Sequence, residues 1–137
     1  MTSTIEAHVY RGGCHCGRVS FEVTSAPPTH VEVCNCSICT KKGYLHWTVE
    51  REAFRLLTPQ SDLATYTFNT GVAMHHFCPH CGVASFYIPR SDPDKIDVNL
   101  RCVDDIDTSA LQIVHFDGQN WEVSFAKERG NRSRQET

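Results

Sequence analysis

Gly13-Cys14-His15-Cys16-Gly17 and Phe77-Cys78-Pro79-His80-Cys81-Gly82 are the two stretches on which the reading of this sequence turns. In the first, two thiols lie two residues apart between glycines, which let the backbone bend and bring both sulfurs to one point. In the second, the thiols stand in C-x2-C spacing before another glycine. Together they supply four thiolates able to close around one zinc ion, a ligand set that is normally structural. The halves are 62 residues apart from Cys16 to Cys78, so zinc here acts as a long-range staple between distant hairpins. Its binding energy is then folding energy.

A second cluster, Cys34-Asn35-Cys36-Ser37-Ile38-Cys39, differs in count. Three thiols within one short stretch hold a zinc almost alone and leave a fourth position unassigned. Catalytic zinc sites have three protein ligands and one exchangeable water or substrate, so the count suggests an open site. Cys102 is the main rival for that position, and His46, His75, His76 and His80 also compete for it. Spacing also allows another partition, with Cys14 and Cys16 joined to part of the second cluster and Cys78 and Cys81 left with Cys102. Iron–sulfur ligation is open to any four cysteines, but zinc is the simplest assignment.

Composition favours metal over disulfides. The 137 residues, 40% of them hydrophobic, suffice for one compact domain. A net charge of −3, from 13 Lys+Arg against 16 Asp+Glu, argues against a large basic surface for nucleic acid or anionic lipid. No stretch approaches the roughly 18 apolar residues of a membrane helix, and the opening residues lack the apolar run of a signal peptide. An intracellular protein, cytoplasmic and also nuclear in scope, is expected, with no membrane partner. A reducing compartment keeps ordinary thiols unpaired, and clusters this tight have poor geometry for internal bridges. The triplets Asn35-Cys36-Ser37 and Asn131-Arg132-Ser133 match the glycosylation pattern but carry no weight without secretion.

Alternating or β-branched runs over 18–24, 29–34, 45–50, 64–68, 74–77, 84–88 and 96–100 predict strands. Gly12-Gly13, Pro27-Pro28, Pro59, Gly71, Gly82, Pro89 and Pro93 separate them, and short helical turns are expected over 37–42, 51–54 and 107–110. The fold class is mostly β, a single compact zinc-stapled domain of antiparallel strands. Its expected limits are an N-terminal arm at 1–8, the zinc-binding domain at 9–126 and a polar, disordered tail at 127–137. Trp47, Trp121 and the phenylalanines are expected to fill the core.

Gly13 to Gly17, Cys34 to Cys39, Tyr66-Thr67-Phe68-Asn69, Phe77-Cys78 to Cys81-Gly82, Tyr87 to Arg90, and Phe116-Asp117-Gly118 to Trp121-Glu122 occur in this order. With these motifs, residues 9 to 122 resemble the family that joins glutathione-dependent formaldehyde-activating enzymes with centromere protein V, closest to the animal centromere protein V-like branch. The resemblance implies a β-tent-like fold. It also implies a structural zinc on Cys14, Cys16, Cys78 and Cys81, and a second zinc on Cys34, Cys36 and Cys39, two zinc ions per chain. The implied activity is that of a carbon–sulfur lyase, combining glutathione with formaldehyde or releasing them from S-hydroxymethylglutathione. Two departures matter. Animal centromere protein V carries a basic N-terminal extension, whereas about a dozen residues precede the first motif here, and the bacterial enzymes are longer, so their glutathione contacts do not transfer.

For the residues themselves, an open zinc on Cys34, Cys36 and Cys39 predicts binding of a small thiol substrate, glutathione by resemblance. Lys41 and Lys42 are placed to offset the anionic cluster or to receive a carboxylate, and Tyr44, His46 and Arg101 are candidates for proton transfer or orientation. The alternative is a non-catalytic zinc-binding interaction module, which a fourth cysteine ligand from Cys102 would favour. Redox sensing at exposed thiolates is a third reading.

Overall fold

The computed structural model describes residues 7–68, 71–90, 92–120 and 122–126. Strands are β1 (His8–Gly13), β2 (Ser20–Ser25), β3 (His30–Cys34), β4 (His46–Glu50), β5 (Phe54–Leu56), β6 (Ala64–Tyr66), β7 (Met74–Phe77), β8 (Phe86–Ile88), β9 (Lys95–Asn99) and β10 (Gln112–Phe116). A short helix, α1 (Ser37–Lys42), follows β3. Single 3-10 turns occupy Arg51–Ala53 and Thr108–Ala110, close to the expected helical turns. The expected mostly β architecture therefore holds, and β1, β5 and β10 are strands that the alternation pattern did not reveal. β1 begins inside the expected arm, while Trp121 and the tail at 127–137 lie outside the described residues.

Two sheets form. One is three-stranded, in the order β1-β2-β5; the other is seven-stranded, in the order β10-β3-β4-β9-β8-β7-β6. All neighbours pair antiparallel except β3 and β10, which run parallel with Phe116 opposite Cys34. A parallel pair needs a long crossover, and the whole of β4 to β9 supplies it. The expectation of purely antiparallel strands is corrected at this one edge.

Phe21 and Val23 of β2, Trp47 and Val49 of β4, Phe86 of β8 and Ile96 and Val98 of β9 meet between the sheets. Phe54 of β5 bridges the two layers, its ring 5.3 Å from Phe21 and 4.7 Å from Phe86. Burying a side chain of this size stabilises a fold by about 1.5–3 kcal/mol. Not every phenylalanine joins the core as expected. Phe68 is 40% exposed and stacks on His75.

Strand parity gives the large sheet two different faces. Residues opposite one another in register share a face, and Trp47, Val98 and Phe86 align in this way toward the core. The same registers align Glu32 with His46, His46 with Asn99, Asp97 with Tyr87, Tyr87 with His75, and His75 with Tyr66 on the other face. Cys34, two residues beyond Glu32, belongs to this polar face. That row of side chains, with α1 beside it, defines the region of chemistry.

Candidate functional site

The loop after β1 carries Cys14 and Cys16, and the turn after β7 carries Cys78 and Cys81. Their four sulfurs all lie within 4.8 Å of one another. Cys16 Sγ is 3.6 Å from both Cys14 Sγ and Cys78 Sγ. Four sulfurs at Zn–S distances of about 2.3 Å in a tetrahedron stand roughly 3.8 Å apart, whereas a disulfide needs about 2.05 Å. All eight cysteines are free thiols, and this quartet fits a tetrahedral thiolate-bound cation. The geometry joins these two pairs rather than sharing either with the second cluster.

In each half a backbone N–H donates to one sulfur and a glycine closes the turn. Val19 N–H donates to Cys14 Sγ at 3.3 Å and His80 N–H donates to Cys78 Sγ at 3.4 Å. Gly17 (φ 84°) and Gly82 (φ 79°) close the two turns in the left-handed region, where other residues are strained. Because β1 belongs to the small sheet and β7 to the large one, a metal here ties the two layers together.

Cys34, Cys36 and Cys39 likewise have sulfurs within 4.8 Å of one another. Cys36 caps α1, its sulfur accepting from Cys39 N–H at 3.4 Å, so the helix start itself brings two of the thiols together. Their titrations oppose one another. Hydrogen bonds from Cys34 and then Cys39 hold the Cys36 thiol far below its usual range, while Cys34 and Cys39 are pushed up by the same crowding. A divalent cation relieves that conflict, since it favours the thiolate at all three. The donor set thus suits zinc.

No fourth Cys, His, Asp or Glu among the described residues brings a ligand atom within 4.8 Å of all three sulfurs. Cys102 does not come near. Its sulfur points at Ala84 O at 3.8 Å, and the cysteines that influence it are Cys14 and Cys81. His80 is exposed in the turn between Cys78 and Cys81. His76 faces the core side, bonded to Thr65 Oγ1 at 2.8 Å and packed on Phe86. His75, of opposite parity, lines a cavity of about 390 Å³ onto which the three thiols open, together with Phe68, Tyr87 and Arg90. A larger groove of about 790 Å³ between Pro27, Trp47 and Lys95 reaches no cysteine and belongs to neither cluster.

His75 is stacked between Phe68 at 5.6 Å and Tyr87 at 4.9 Å. Burial, then the Lys42 ammonium, pulls its imidazole down to about 4, so it is neutral at pH 7. Lys42 Nζ donates to His75 Nδ1 at 3.5 Å, which leaves the ring proton on Nε2. Of the two lysines, Lys41 is exposed and Lys42 half-buried; Arg101 is exposed. Tyr44 is spent on the backbone, its hydroxyl donating to Asp97 O at 2.7 Å.

Gly118 is a site residue whose role only the structure reveals. A Cβ there would overlap Cys34 Sγ and come within 2.8 Å of Cys36 Cβ. The parallel pairing of β10 with β3 brings it there, and Asn35 locks the approach. Asn35 Nδ2 donates to Asp117 Oδ1 at 3.0 Å, and its Oδ1 accepts from Gln119 N–H at 3.0 Å.

His46 lies behind Tyr87, with Nδ1 2.8 Å from Asp97 Oδ2 and 3.3 Å from the Tyr87 hydroxyl. Burial pulls its pKa down, but the charge and hydrogen bond of Asp97 outweigh that and raise it above the ordinary value. Stability from a raised histidine is fully present below the unfolded pKa near 6.5 and is lost as pH rises through the folded value. Asp97→Asn should therefore cost more at pH 6, where a buried charge loses its partner at about 3 kcal/mol, than at pH 9. Urea unfolding at the two pH values measures this.

The comparisons with known proteins agree with this geometry. The family model described as glutathione-dependent formaldehyde-activating enzyme matches residues 9–122. The chain belongs to that family. A crystal structure of a Rhodobacter sphaeroides protein is similar at 28% identity and a TM-score of 0.68, over 76% of this chain and 99% of that one. As the family reading implied, the two cysteine groups of this formaldehyde-activating-type domain are those that could hold zinc. No helix among the described residues is long and apolar enough to cross a membrane.

Proposed function

We propose that this family member is a zinc-dependent carbon–sulfur lyase acting on a thiol–aldehyde adduct such as S-hydroxymethylglutathione. Cys14, Cys16, Cys78 and Cys81 hold a structural zinc, and Cys34, Cys36 and Cys39 hold a second, reactive one. The observation that carries this reading is a three-thiol cluster that opens on a cavity with no fourth ligand among the described residues. Zinc bound there supplies a Lewis acid that favours the thiolate form of an added thiol.

The chain's own residues do the positioning. Phe68 and Tyr87 wall the cavity and exclude water from one side of the reacting carbon. His75, neutral and bonded to Lys42 through Nδ1, offers its Nε2–H to the adduct oxygen. In the forming direction, the thiol gives up its proton to solvent on becoming a thiolate, its sulfur joins the aldehyde carbon, the carbonyl electron pair moves to oxygen, and that oxygen takes one proton back from solvent. Cleavage reverses each movement, returning the proton and releasing thiol and aldehyde. A hydrogen-bond donor aimed at such a developing oxyanion contributes roughly 10²–10³ in rate. Thiolate-rich sites of this kind need a reducing compartment, so an intracellular location belongs to the same proposal.

Exchange of ¹³C-formaldehyde with glutathione, followed by NMR exchange spectroscopy, tests the reaction. The zinc-loaded protein should accelerate exchange at the C–S bond and Cys39→Ser should abolish the acceleration. Exchange no faster than in buffer would contradict the enzyme reading.

A further inference from the structure

Formaldehyde is a small guest for the space beside the three thiols. The cavity there measures about 390 Å³. An aldehyde of two heavy atoms fills roughly twice the 30 Å³ share of a water molecule in the liquid. Most of the space is left for groups carried on the sulfur or on the aldehyde carbon, and the walls decide their chemistry. Ile38, Phe68, Ala73, Tyr87 and Pro89 make much of the lining apolar, and Arg90, its cation, faces Glu122 at 4.0 Å. A peptide thiol is polar along its backbone and gains little from such walls, whereas a hydrocarbon ring is driven out of water against them.

Phe68 belongs to a column of rings. Tyr66 stacks on Phe68 at 5.7 Å and 23°, Phe68 on His75 at 5.6 Å and 23°, and His75 on Tyr87 at 4.9 Å and 10°. Strand register holds the column, since His75 lies opposite both Tyr66 and Tyr87. Its inner end is anchored, with the Tyr87 hydroxyl 3.3 Å from His46 Nδ1. Its outer end meets solvent, with Phe68 40% and Tyr66 53% exposed. An aromatic side chain fixed in this way has little freedom left to lose when a further ring meets it. Offset-stacked and edge-to-face ring pairs also gain beyond the apolar area they bury. His75, which offers its Nε2–H to the adduct oxygen in the proposed reaction, is the next ring after Phe68. A substituent on the carbon that bears this oxygen therefore comes within reach of Phe68.

We propose that the Phe68 side of the thiol cavity is a subsite for an aromatic group on the aldehyde carbon, so that the aldehydes this protein prefers are larger than formaldehyde and end in a flat apolar ring. This rests on the proposed reaction at the three-thiol site and names the aldehyde class for it. The bonds made and broken are those of the one-carbon case. The thiol proton goes to solvent, sulfur joins the aldehyde carbon, the carbonyl pair moves to oxygen, and one proton returns to that oxygen from solvent. Only the group carried on the carbon differs, and Phe68 undergoes no covalent change.

The test uses the zinc-loaded full chain with glutathione as the constant thiol and compares propanal with 3-phenylpropanal, which share an aliphatic aldehyde group and differ by a terminal phenyl ring. For exchange at the C–S bond, kcat/KM should favour 3-phenylpropanal at least roughly 10-fold, the scale expected for burying one ring against others. Phe68→Ala should remove most of that preference, and Phe68→Tyr, which keeps a ring, should retain it. No preference in the parent, or a preference that Phe68→Ala leaves in place, would overturn the subsite. Should the protein accelerate exchange of neither aldehyde, the reaction reading fails on its own, and 3-phenylpropanol, which carries the ring but no reactive carbonyl, decides the subsite. Saturation transfer from the protein to its ring protons that is present in the parent and lost in Phe68→Ala sustains the subsite. No transfer in the parent, or transfer that persists in Phe68→Ala, rejects it.

Discussion

Cys81→Ser is expected to yield a chain that binds one metal ion instead of two and melts at least about 10 °C below the parent, as a loss of roughly 3 kcal/mol implies for a domain of this size. The reason is architectural. Cys14 and Cys16 extend from β1 of the small sheet, and Cys78 and Cys81 extend from β7 of the large one. Cys78 is fully buried, its sulfur beside Cys16. Without the metal, four thiols this close must take up protons or repel one another, and the layers lose their only staple of this kind among the described residues. Structural zinc contributes about 10–16 kcal/mol in small zinc domains, against total stabilities of about 5–15 kcal/mol. Cys14→Ser should behave in the same way. Cys39→Ser, within the short helix α1 and away from the junction of the two sheets, should lose the second metal with little change in melting. Thermal unfolding with metal analysis separates the cases, and equal loss of folding in all three would count against distinct structural and reactive sites.

Gly118→Ala is expected to remove the second metal site while sparing the first. The added methyl would occupy the space of Cys34 Sγ, with Cys36 Cβ at 2.8 Å and the Cys36 backbone N at 3.2 Å also crowding it. Either the cluster opens or the segment after β10 lifts away and breaks the two hydrogen bonds to Asn35. Metal content should fall from two ions to one, with a loss of carbon–sulfur exchange of at least roughly 100-fold, as expected when a reacting centre is displaced by an ångström. The melting temperature should drop far less than in Cys81→Ser. Two ions retained with parental exchange would show that the glycine is not needed there.

These two predictions differ in how visible their residues are in the sequence. The cysteines announce themselves, because C-x-C and C-x2-C spacings are local and their glycines mark the turns. The helix at Ser37–Lys42 was legible for the same reason, with Cys36 as its cap and Gly43 at its end in the left-handed conformation. Runs such as 74–77 and 45–50 showed their strands through alternation. β1 was hidden because Gly12-Gly13 reads as a break, although both glycines pair with β2 where an added Cβ would meet the carbonyl oxygens of Cys102 and Val19. β5 is three residues long, and β10 pairs with a strand far away in the chain.

Site residues outside the cysteines depend on register. Nothing local separates His75 from His76, yet one strand step sends the first to the thiol cavity and the second to Phe86. The Phe116-Asp117-Gly118 motif was visible as a resemblance, but its role follows from a parallel pairing that no alternation pattern encodes. Lys42 differs from Lys41 only by the face of α1 that it occupies. His46, a candidate for proton transfer, proves to be committed to Asp97.

The central claim is that the Cys34, Cys36 and Cys39 site accepts an exchangeable thiol while the four-cysteine site does not. The visible spectrum of the protein loaded with two cobalt ions, before and after addition of glutathione, tests it most directly. One set of bands should shift on thiol addition while the other stays fixed, and Cys39→Ser should lose the shifting set. Two sulfur-rich sites that ignore added thiol would contradict the claim and leave an interaction module as the better reading.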